Sequence, residues 1–465
     1  MPRHRRDVGF TLGVVIPIVT PEEMGAVDAA AADPVEVLIG RAGWAVARAA
    51  LEMLDGGYGR TVNLIAGPGN NGADGRVGCE HLARRGVRVR IYGAKECPAE
   101  LLPADLVIDA AFGTGFRGEW QSPEVGDTPV LAVDIPSGVN GLTGVAGPGV
   151  LAAERTITFQ AWKPGLLLND GPALAGRVDV ADIGLDCQGV DARLVGRDDV
   201  ATWLPRRERD SHKWRGAVKV VAGSPGMTGA AVLATAAAAR AGAGIVQLVT
   251  TALADDVRAE LITRVVDVAD LAGAATDRAE RYGSVVVGPG LGRSDLTVEV
   301  VHNLIDVDVP LLVDGDGLMA FEPDFVTAIR TDLRSRHTPV VLTPHDGEFA
   351  RLTGDRVPDD RIAAVRRLAS RTNCTVLLKG PTTLVAAPEG ALLAVEHGDQ
   401  RLATAGSGDV LSGVVGALLA RGAPALQAAA GGAWIHAEAG LQWPAAGLLA
   451  GDLIDALPGV LAELT

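Results

Sequence analysis

Cysteine is scarce. The 465-residue chain has four, Cys79, Cys97, Cys187 and Cys374, none in a C-x-x-C spacing. That argues against a disulfide framework or a thiolate zinc site and fits a reducing compartment. The eight histidines form no H-x-x-x-H and no cluster with cysteine, so no structural metal site is expected. Positive charge is short as well. The 42 basic residues, only five of them Lys, face 57 acidic ones, giving a net charge of −15 and a pI near 5.0. A protein that coats nucleic acid or an anionic membrane would carry the opposite sign. Convincing membrane runs are missing too. Val220–Ala239 is uncharged but contains Gly-Ser-Pro-Gly, and it reads as a strand, a glycine turn and a small-residue helix. Arg3, Arg5 and Arg6 followed by Phe10–Val19 imitate an export signal. Pro17 and Pro21 interrupt it, and no A-x-A site follows at the right distance, so a cytoplasmic location is expected.

What is present is globular: 48% hydrophobic and 21% charged residues, at a length that suits two or three domains. Short β-branched runs alternate with Ala-rich helical stretches, the pattern of βαβ units around parallel sheets. In the first half the strands fall at Thr61–Ala66, Val87–Tyr92, Leu106–Asp109, Val130–Asp134 and Arg155–Phe159. A charged stretch, Arg197–Asp210, reads as a linker. The pattern then restarts at Val218–Ala222, Ile245–Thr250, Val285–Gly288, Leu311–Asp314, Val340–Thr343 and Val376–Lys379. The fold class is therefore α/β, with two doubly wound domains, and the chemistry belongs at the carboxyl ends of the strands.

In the second half, Thr404-Ala-Gly-Ser-Gly-Asp409 precedes an apolar helix. Gly406, Ser407 and Gly408 then lie where free N–H groups and the helix dipole attract a phosphate. Asp409, in the first turn, is placed to take a proton from a hydroxyl attacking phosphorus, although capping the helix would explain it as well. Four more loops follow strands of this domain: Gly223–Ala230, Gly288–Gly292, Thr343–Phe349 and Lys379-Gly-Pro-Thr-Thr383. Together they suit one extended nucleotide-shaped cleft. His345 reads equally well as a turn cap, and His436 as core. Asp314 and Asp316 could bind Mg²⁺ or simply form a turn.

These loops, with Ser211-His-Lys213, Arg240-Ala-Gly-Ala-Gly-Ile245 and Asp314-Gly-Asp-Gly-Leu318, stand in an order that resembles the ADP-dependent NAD(P)H-hydrate dehydratase family over about residues 211–458. The resemblance implies a ribokinase-like fold. It also implies an enzyme that uses ADP to phosphorylate the hydroxyl of (6S)-NAD(P)HX and eliminate phosphate, returning NAD(P)H and AMP. By that resemblance Ala230, Gly292, His345 and Asp409 contact the hydrated nucleotide. Lys379, Gly380, Pro381, Thr382, Thr383 and Gly408 hold the adenine nucleotide, and Gly406, Ser407 and Gly408 cradle the transferred phosphoryl group. Mg²⁺ neutralises charge, and Asp409 is the base. Trp214 and Gly315 depart from the family's usual glycine and alanine.

The first half carries Gly67-Pro-Gly-Asn-Asn-Gly-Ala-Asp-Gly75, Asp109-Ala-Ala-Phe-Gly-Thr-Gly115, Asp134-Ile-Pro-Ser-Gly138 and Phe159-Gln-Ala-Trp-Lys-Pro-Gly165. With Thr20–Met24 and Arg41-Ala-Gly43, these resemble the NAD(P)HX epimerase family. The resemblance implies K⁺ held by Asn71, Asp109 and Ser137. Substrate would be contacted by Asn70, Asn71, Gly72, Ala73 and Asp74, by Gly113, Thr114, Gly115, Phe116, Arg117 and Gly118, and by Asp134. Asp134 is the candidate acid/base, with Lys163 beside it as an electrostatic helper. The connections Gly93–Asp105 and Phe116–Pro129 are too short for the family's helices, so both are expected as loops, which puts this half's activity in question.

The expected organisation is an extension at 1–19, an epimerase-like domain at 20–196, a linker at 197–210 and a dehydratase-like domain at 211–465. NADHX or NADPHX and ADP are the expected small-molecule partners, in a homo-oligomer without nucleic acid or membrane. The residues leave open a second reading: an ATP-dependent ribokinase-like small-molecule kinase whose first half is a non-catalytic nucleotide-binding or docking module.

Overall fold

The computed structural model describes residues 16–465 except 119, 324–332 and 334–335. Residues 1–15, most of the expected extension and much of the export-like stretch, lie outside the described residues. The contacts divide the chain into two compact units that part between Ala192 and Arg193.

In the first unit a short strand, β1 (Ile16–Pro17), precedes the helix Pro21–Ala29. Thr20 caps that helix: its Oγ1 accepts from Glu23 N (3.2 Å), and Glu23 Oε2 accepts from Thr20 N (2.8 Å). The sheet contains β2 (Thr61–Ala66), β3 (Arg88–Gly93), β4 (Leu106–Ala110), β5 (Val130–Val133), β6 (Arg155–Phe159) and β7 (Arg177–Ala181). All are parallel, in the order β3-β2-β4-β5-β6-β7. Side chains alternate between its faces, as the pleat requires. Leu64, Ile108, Leu131, Val133 and Ile157 share one cluster with the helices Val35–Met53 and Asn70–Ala83. Those helices approach closely because Gly43 and Gly78 meet there: a Cβ on Gly43 would stand 2.5 Å from Val77 Cγ1.

Ile65, Val107, Val130 and Ala132 face the other way, and loops cover them, as the short connections predict. Among the described residues only Ala94–Glu96 makes a helical turn there. Leu101 N donates to Glu124 O (3.0 Å) and Glu124 N to Ala99 O (2.7 Å), so the two trimmed connections bind each other. Ala94 and Leu101, with partly buried Cys97, Trp120 and Val125, close the face.

The unit boundary falls at β8 (Ala192–Leu194). The stretch read as a linker departs from that reading. Arg197–Trp203 is a helix whose Val200 is fully buried, with Trp203 and Leu204 also packed into the second unit's core. Three apolar residues at helical spacing inside the charged run hold it down.

The second unit's strands are β9 (Ala217–Val221), β10 (Ile245–Thr250), β11 (Ile262–Val265), β12 (Ser284–Val287), β13 (Leu311–Val313), β14 (Val340–Leu342), β15 (Thr375–Leu378), β16 (Thr383–Ala386) and β17 (Leu392–Val395). Their order is β17-β16-β15-β14-β13-β12-β9-β10-β11. It is parallel from β15 to β11 and antiparallel through β15, β16 and β17. Helices Thr228–Arg240, Ser407–Ala420, Ala425–Leu441 and Ala450–Leu464 share its main core. Among the described residues no helix is long and apolar enough to cross a membrane.

Candidate active sites at the carboxyl ends of both sheets

In the second unit, Gly406 caps the helix Ser407–Ala420 with φ +88°, a left-handed conformation that glycine tolerates best. Ser407 is engaged within the loop, its N–H to Thr404 O and its hydroxyl to Leu402 O (2.8 Å). Among the described residues, the N–H groups of Gly408 and Asp409 have no hydrogen-bond partner and can meet an anion. Lys379, just beyond β15, is close by: a Cβ on Gly408 would lie 3.6 Å from its Nζ. That Nζ donates to Asp314 Oδ1 (2.8 Å) and stands 3.6 Å from Glu348 Oε2. Ser412, one turn along the helix from Gly408, donates to the other oxygen of Asp314 (2.7 Å).

The carboxyls divide sharply. Burial would raise Asp314, but the Lys379 ammonium and the hydrogen bonds overcome it and hold it below the usual carboxylate range. Burial would likewise lower Lys379, and the charges of Asp314 and Glu348 keep it raised instead. Among the described residues Asp409 forms no ion pair. Burial, then the charge of Asp314, pushes its carboxyl up to about 7.

The remaining loops link to this centre. Gly292 N donates to Asp316 Oδ2 (2.8 Å), and a Cβ on Gly290 would come within 2.9 Å of Ala230 Cβ. Gly380 backs onto Arg361, which holds Asp346 through two hydrogen bonds (2.9 and 2.7 Å). Pro381, Thr382 and Thr383 complete the turn from β15 into antiparallel β16. His345 does cap its turn: Nδ1 accepts from Gly347 N (3.0 Å) and Glu348 N (3.2 Å). In the neutral ring the proton therefore sits on Nε2, which stands 3.4 Å from Glu348 Oε1. His436 is buried, its imidazole pushed down to about 4 by burial. Asp314 and Asp316 do not form an open metal pair, because Lys379 and Ser412 take both oxygens of Asp314.

In the first unit, a cavity of about 570 Å³ is lined by Asn70, Asn71 and Asp74, by residues 111–116, and by Asp134 and Lys163. Asp28, from the helix Pro21–Ala29, and Val35, Leu38, Ile39 and Ala42, from the next helix, complete its wall. Gly67 allows the loop after β2 to run tightly, since a Cβ there would lie 1.8 Å from Ala111 O. Gly72 packs the same way, a Cβ there meeting Gly67 O at 2.0 Å. Asp134 adopts φ +68° just after β5. Its Oδ2 accepts from Thr114 N (3.0 Å), and its Oδ1 lies 3.2 Å from both Lys163 Nζ and Thr158 Oγ1. Lys163 is 1% exposed and also donates to Phe159 O (2.7 Å) and Ala161 O (3.1 Å). Burial would raise Asp134, yet the Lys163 charge and these hydrogen bonds hold it below the ordinary carboxylate range. Asp74 is 7% exposed and, among the described residues, makes no hydrogen bond or ion pair. Burial, then the charges of Asp134 and Asp28, pushes it up to about 8.

Asp109 and Ser137 are bound to each other, Ser137 Oγ donating to Oδ1 (2.6 Å) and Ser137 N to Oδ2 (2.8 Å). Phe112 N donates to the same hydroxyl (2.9 Å). Both polar atoms of the Asn71 side-chain amide are buried and have no hydrogen-bond partner among the described residues. The loop Gly113–Gly118 lines the cavity as far as Phe116, while Arg117 turns back onto Thr114 O and Phe116 O. Asp28 is one of the wall residues that the motifs did not single out. Its sequence surroundings, an Ala-rich helix, give no signal beyond a lone carboxylate.

Both units match known protein families. A family model described as NAD(P)H-hydrate dehydratase matches residues 218–458, and one described as YjeF-related protein N-terminus matches 35–100 and 93–165. The chain is 36% identical to a bifunctional NAD(P)H-hydrate repair enzyme of Moorella thermoacetica, over 96% of this chain and 97% of that one. It is 38% identical to the Mycobacterium tuberculosis protein of the same name, covering 81% and 82%. Among solved structures, it is similar to an ADP/ATP-dependent NAD(P)H-hydrate dehydratase from Bacillus subtilis co-crystallised with ATP and Mg²⁺. That match has a TM-score of 0.51 and 28% identity, and covers 58% of this chain and 98% of that one.

Proposed function

This chain belongs to the bifunctional NAD(P)H-hydrate repair enzymes, and from that premise we propose how its residues divide the work. The second unit dehydrates (6S)-NAD(P)HX with ADP as phosphoryl donor, releasing AMP and phosphate. The observation that carries this is Asp409: unpaired, with a carboxyl near 7, in the first turn above an open N–H cradle and beside Lys379. A base whose pKa lies near the working pH both takes and releases a proton readily. Asp409 takes the proton of the substrate hydroxyl as oxygen attacks phosphorus. The N–H groups of Gly408 and Asp409 and the Lys379 ammonium hold the phosphoryl oxygens. Asp314 and Ser412 fix Lys379 against the cradle. Ala230, Gly292 and His345 border the hydrated nucleotide, and Lys379–Thr383 the adenine nucleotide. With Asp314 occupied, Mg²⁺ would arrive on the nucleotide's own phosphates, where it shields their charge.

The first unit interconverts (R)- and (S)-NAD(P)HX, with Asp134 the base held ready by Lys163. K⁺ fits Asn71, Asp109 and Ser137: the orphaned Asn71 amide and the oxygen-only donor set suit a hard cation. Bound there, it supplies fixed positive charge beside the substrate. The protein acts in the cytoplasm as a homo-oligomer. The kinase reading loses ground because bifunctional repair enzymes match the chain nearly end to end.

The test is return of reduced-nicotinamide absorbance from mixed (R)- and (S)-NADHX with ADP, Mg²⁺ and K⁺. Recovery past the S fraction, faster than spontaneous epimerisation, is expected. Recovery that stops with the S epimer would remove the first unit's activity. No recovery, with ATP-dependent phosphorylation instead, would restore the kinase reading.

A further inference from the structure

The cavity of the first unit holds another carboxyl, so far named only as an expected substrate contact. Asp74 lies in the helix Asn70–Ala83, just after the glycine loop, and lines the same cavity as Asp134. It is almost fully buried, and no described residue gives it a hydrogen bond or a counter-charge. A buried carboxylate without partners is costly, so such a group keeps its proton. Asp134 is the opposite case, bound by Lys163, Thr114 N and Thr158.

We propose that Asp74 is a catalytic residue of the epimerisation, the proton donor that works against Asp134 as base. This rests on the epimerase reading of the first unit. In NAD(P)HX the epimeric carbon, position 6, carries a hydroxyl and is bonded to the ring nitrogen, so the two faces interchange by opening and closing that bond. Asp134 removes the hydroxyl proton, and the O–H electrons form the C=O bond. The carbon–nitrogen bond breaks, and its electron pair goes to nitrogen, which receives the proton of Asp74. After rotation the nitrogen attacks the other face of the carbonyl, returns its proton to Asp74, and the alkoxide recovers the proton from Asp134. Both carboxyls end as they began, and nothing is oxidised or reduced.

The electrostatics agree. Asp74 stands near 8 and Asp134 below the usual range, so at neutral pH one is an acid and the other a base. The charged groups that line the cavity with Asp74 are Asp28 from the first helix, Asp33 from the loop after it, Asp134 and Lys163. The helix Val35–Met53 presents only Val35, Leu38, Ile39 and Ala42 to the cavity.

The experiment uses the full chain and purified (R)-NADHX with saturating ADP and Mg²⁺, so that absorbance returns at the rate of epimerisation. Asp74→Asn is expected to lower kcat by about a hundred- to ten-thousand-fold with KM within about twofold, and Asp74→Glu to restore part of the loss. Wild-type kcat should fall as pH rises through about 8, because the donor loses its proton. An Asp74→Asn chain that epimerises at the wild-type rate overturns the proposal while leaving the epimerase reading intact. So does a wild-type kcat that stays level between pH 7 and about 9, a result that does not depend on the variant folding. A wild-type chain that never epimerises overturns that reading and this proposal with it.

Discussion

The two units place the same ingredients at the same point of unrelated-looking sheets. Each has a lysine paired with a carboxylate, Lys163 with Asp134 at 3.2 Å and Lys379 with Asp314 at 2.8 Å. Each has a second, unpaired carboxyl early in a helix that follows a glycine loop: Asp74 at about 8 and Asp409 at about 7. Those helices' N-terminal dipoles should lower both groups. Burial outweighs the dipole in each. The units differ in what the pair is for. In the first, the paired carboxylate lines the cavity, and on the proposed reading it is the base. In the second, the paired carboxylate is also tied to Ser412, and on the proposed reading it holds the lysine in place. That proposal gives the role of base to Asp409 instead. A strong anion such as ADP would account for the change, since Lys379 would then meet phosphate as well as Asp314.

The largest effect expected from breaking this comparison is at Asp409. Asp409→Asn should slow dehydration of (S)-NADHX by about a hundred- to ten-thousand-fold, with the KM for ADP nearly unchanged, because only the base is lost. Stopped-flow absorbance measures both. Wild-type turnover by this variant would show that the pairing pattern does not identify the base.

Next comes Lys163. Lys163→Met leaves the Asp134 carboxylate buried without its counter-charge, and removing one partner of a buried pair costs about 3–5 kcal/mol. Urea melts should show that loss in the first unit's transition. The sign with pH is clear. Asp134 has a depressed folded-state pKa, so its contribution is present above the unfolded value and is lost as pH falls through the folded one. In Lys163→Met that acid-side loss should begin at higher pH.

The pH profiles sharpen the contrast at smaller cost. Dehydration should fall about tenfold per unit below a pH of about 7, as Asp409 takes up its proton. Epimerisation should show no such acid limb until near the ordinary carboxylate pKa of about 4, because Asp134 stays ionised. Coincident acid limbs would show that the two bases are not distinguished by their pairing.

Much of this was legible in the chain. The runs Thr61–Ala66, Arg155–Phe159 and Ile245–Thr250 read as strands with the bounds the structure gives them, because both faces are covered or the run is strongly β-branched. The strands Arg177–Ala181 and Ile262–Val265 were not read; they are edge strands with charged, half-exposed residues and no continuous apolar signal. Thr383–Ala386 and Leu392–Val395 were hidden in a hairpin within a pattern that otherwise announces crossovers. At the candidate sites, the glycine loops marked strand ends whose side chains the structure brings together. The sequence could not tell Asp314 from Asp409 as the free carboxyl, because that depends on Lys379 and Ser412 arriving from 65 and 98 residues away.

The smallest effect tests the trimmed connections. They cover the sheet face opposite the helices, where Ile65, Val107 and Ala132 point, and the cavity is lined instead by the helix side and by residues 111–116. Apart from Phe116, at the start of the second, no described residue of those connections lines the cavity. Leu102 stands 60% exposed in the first of them. Leu102→Ser should change stability by no more than about 0.5 kcal/mol and leave epimerisation untouched. A fall in epimerase rate without a fall in stability would mean that this face, too, serves the reaction. The lost helices would then matter after all, and the first unit would be the lesser enzyme of the two.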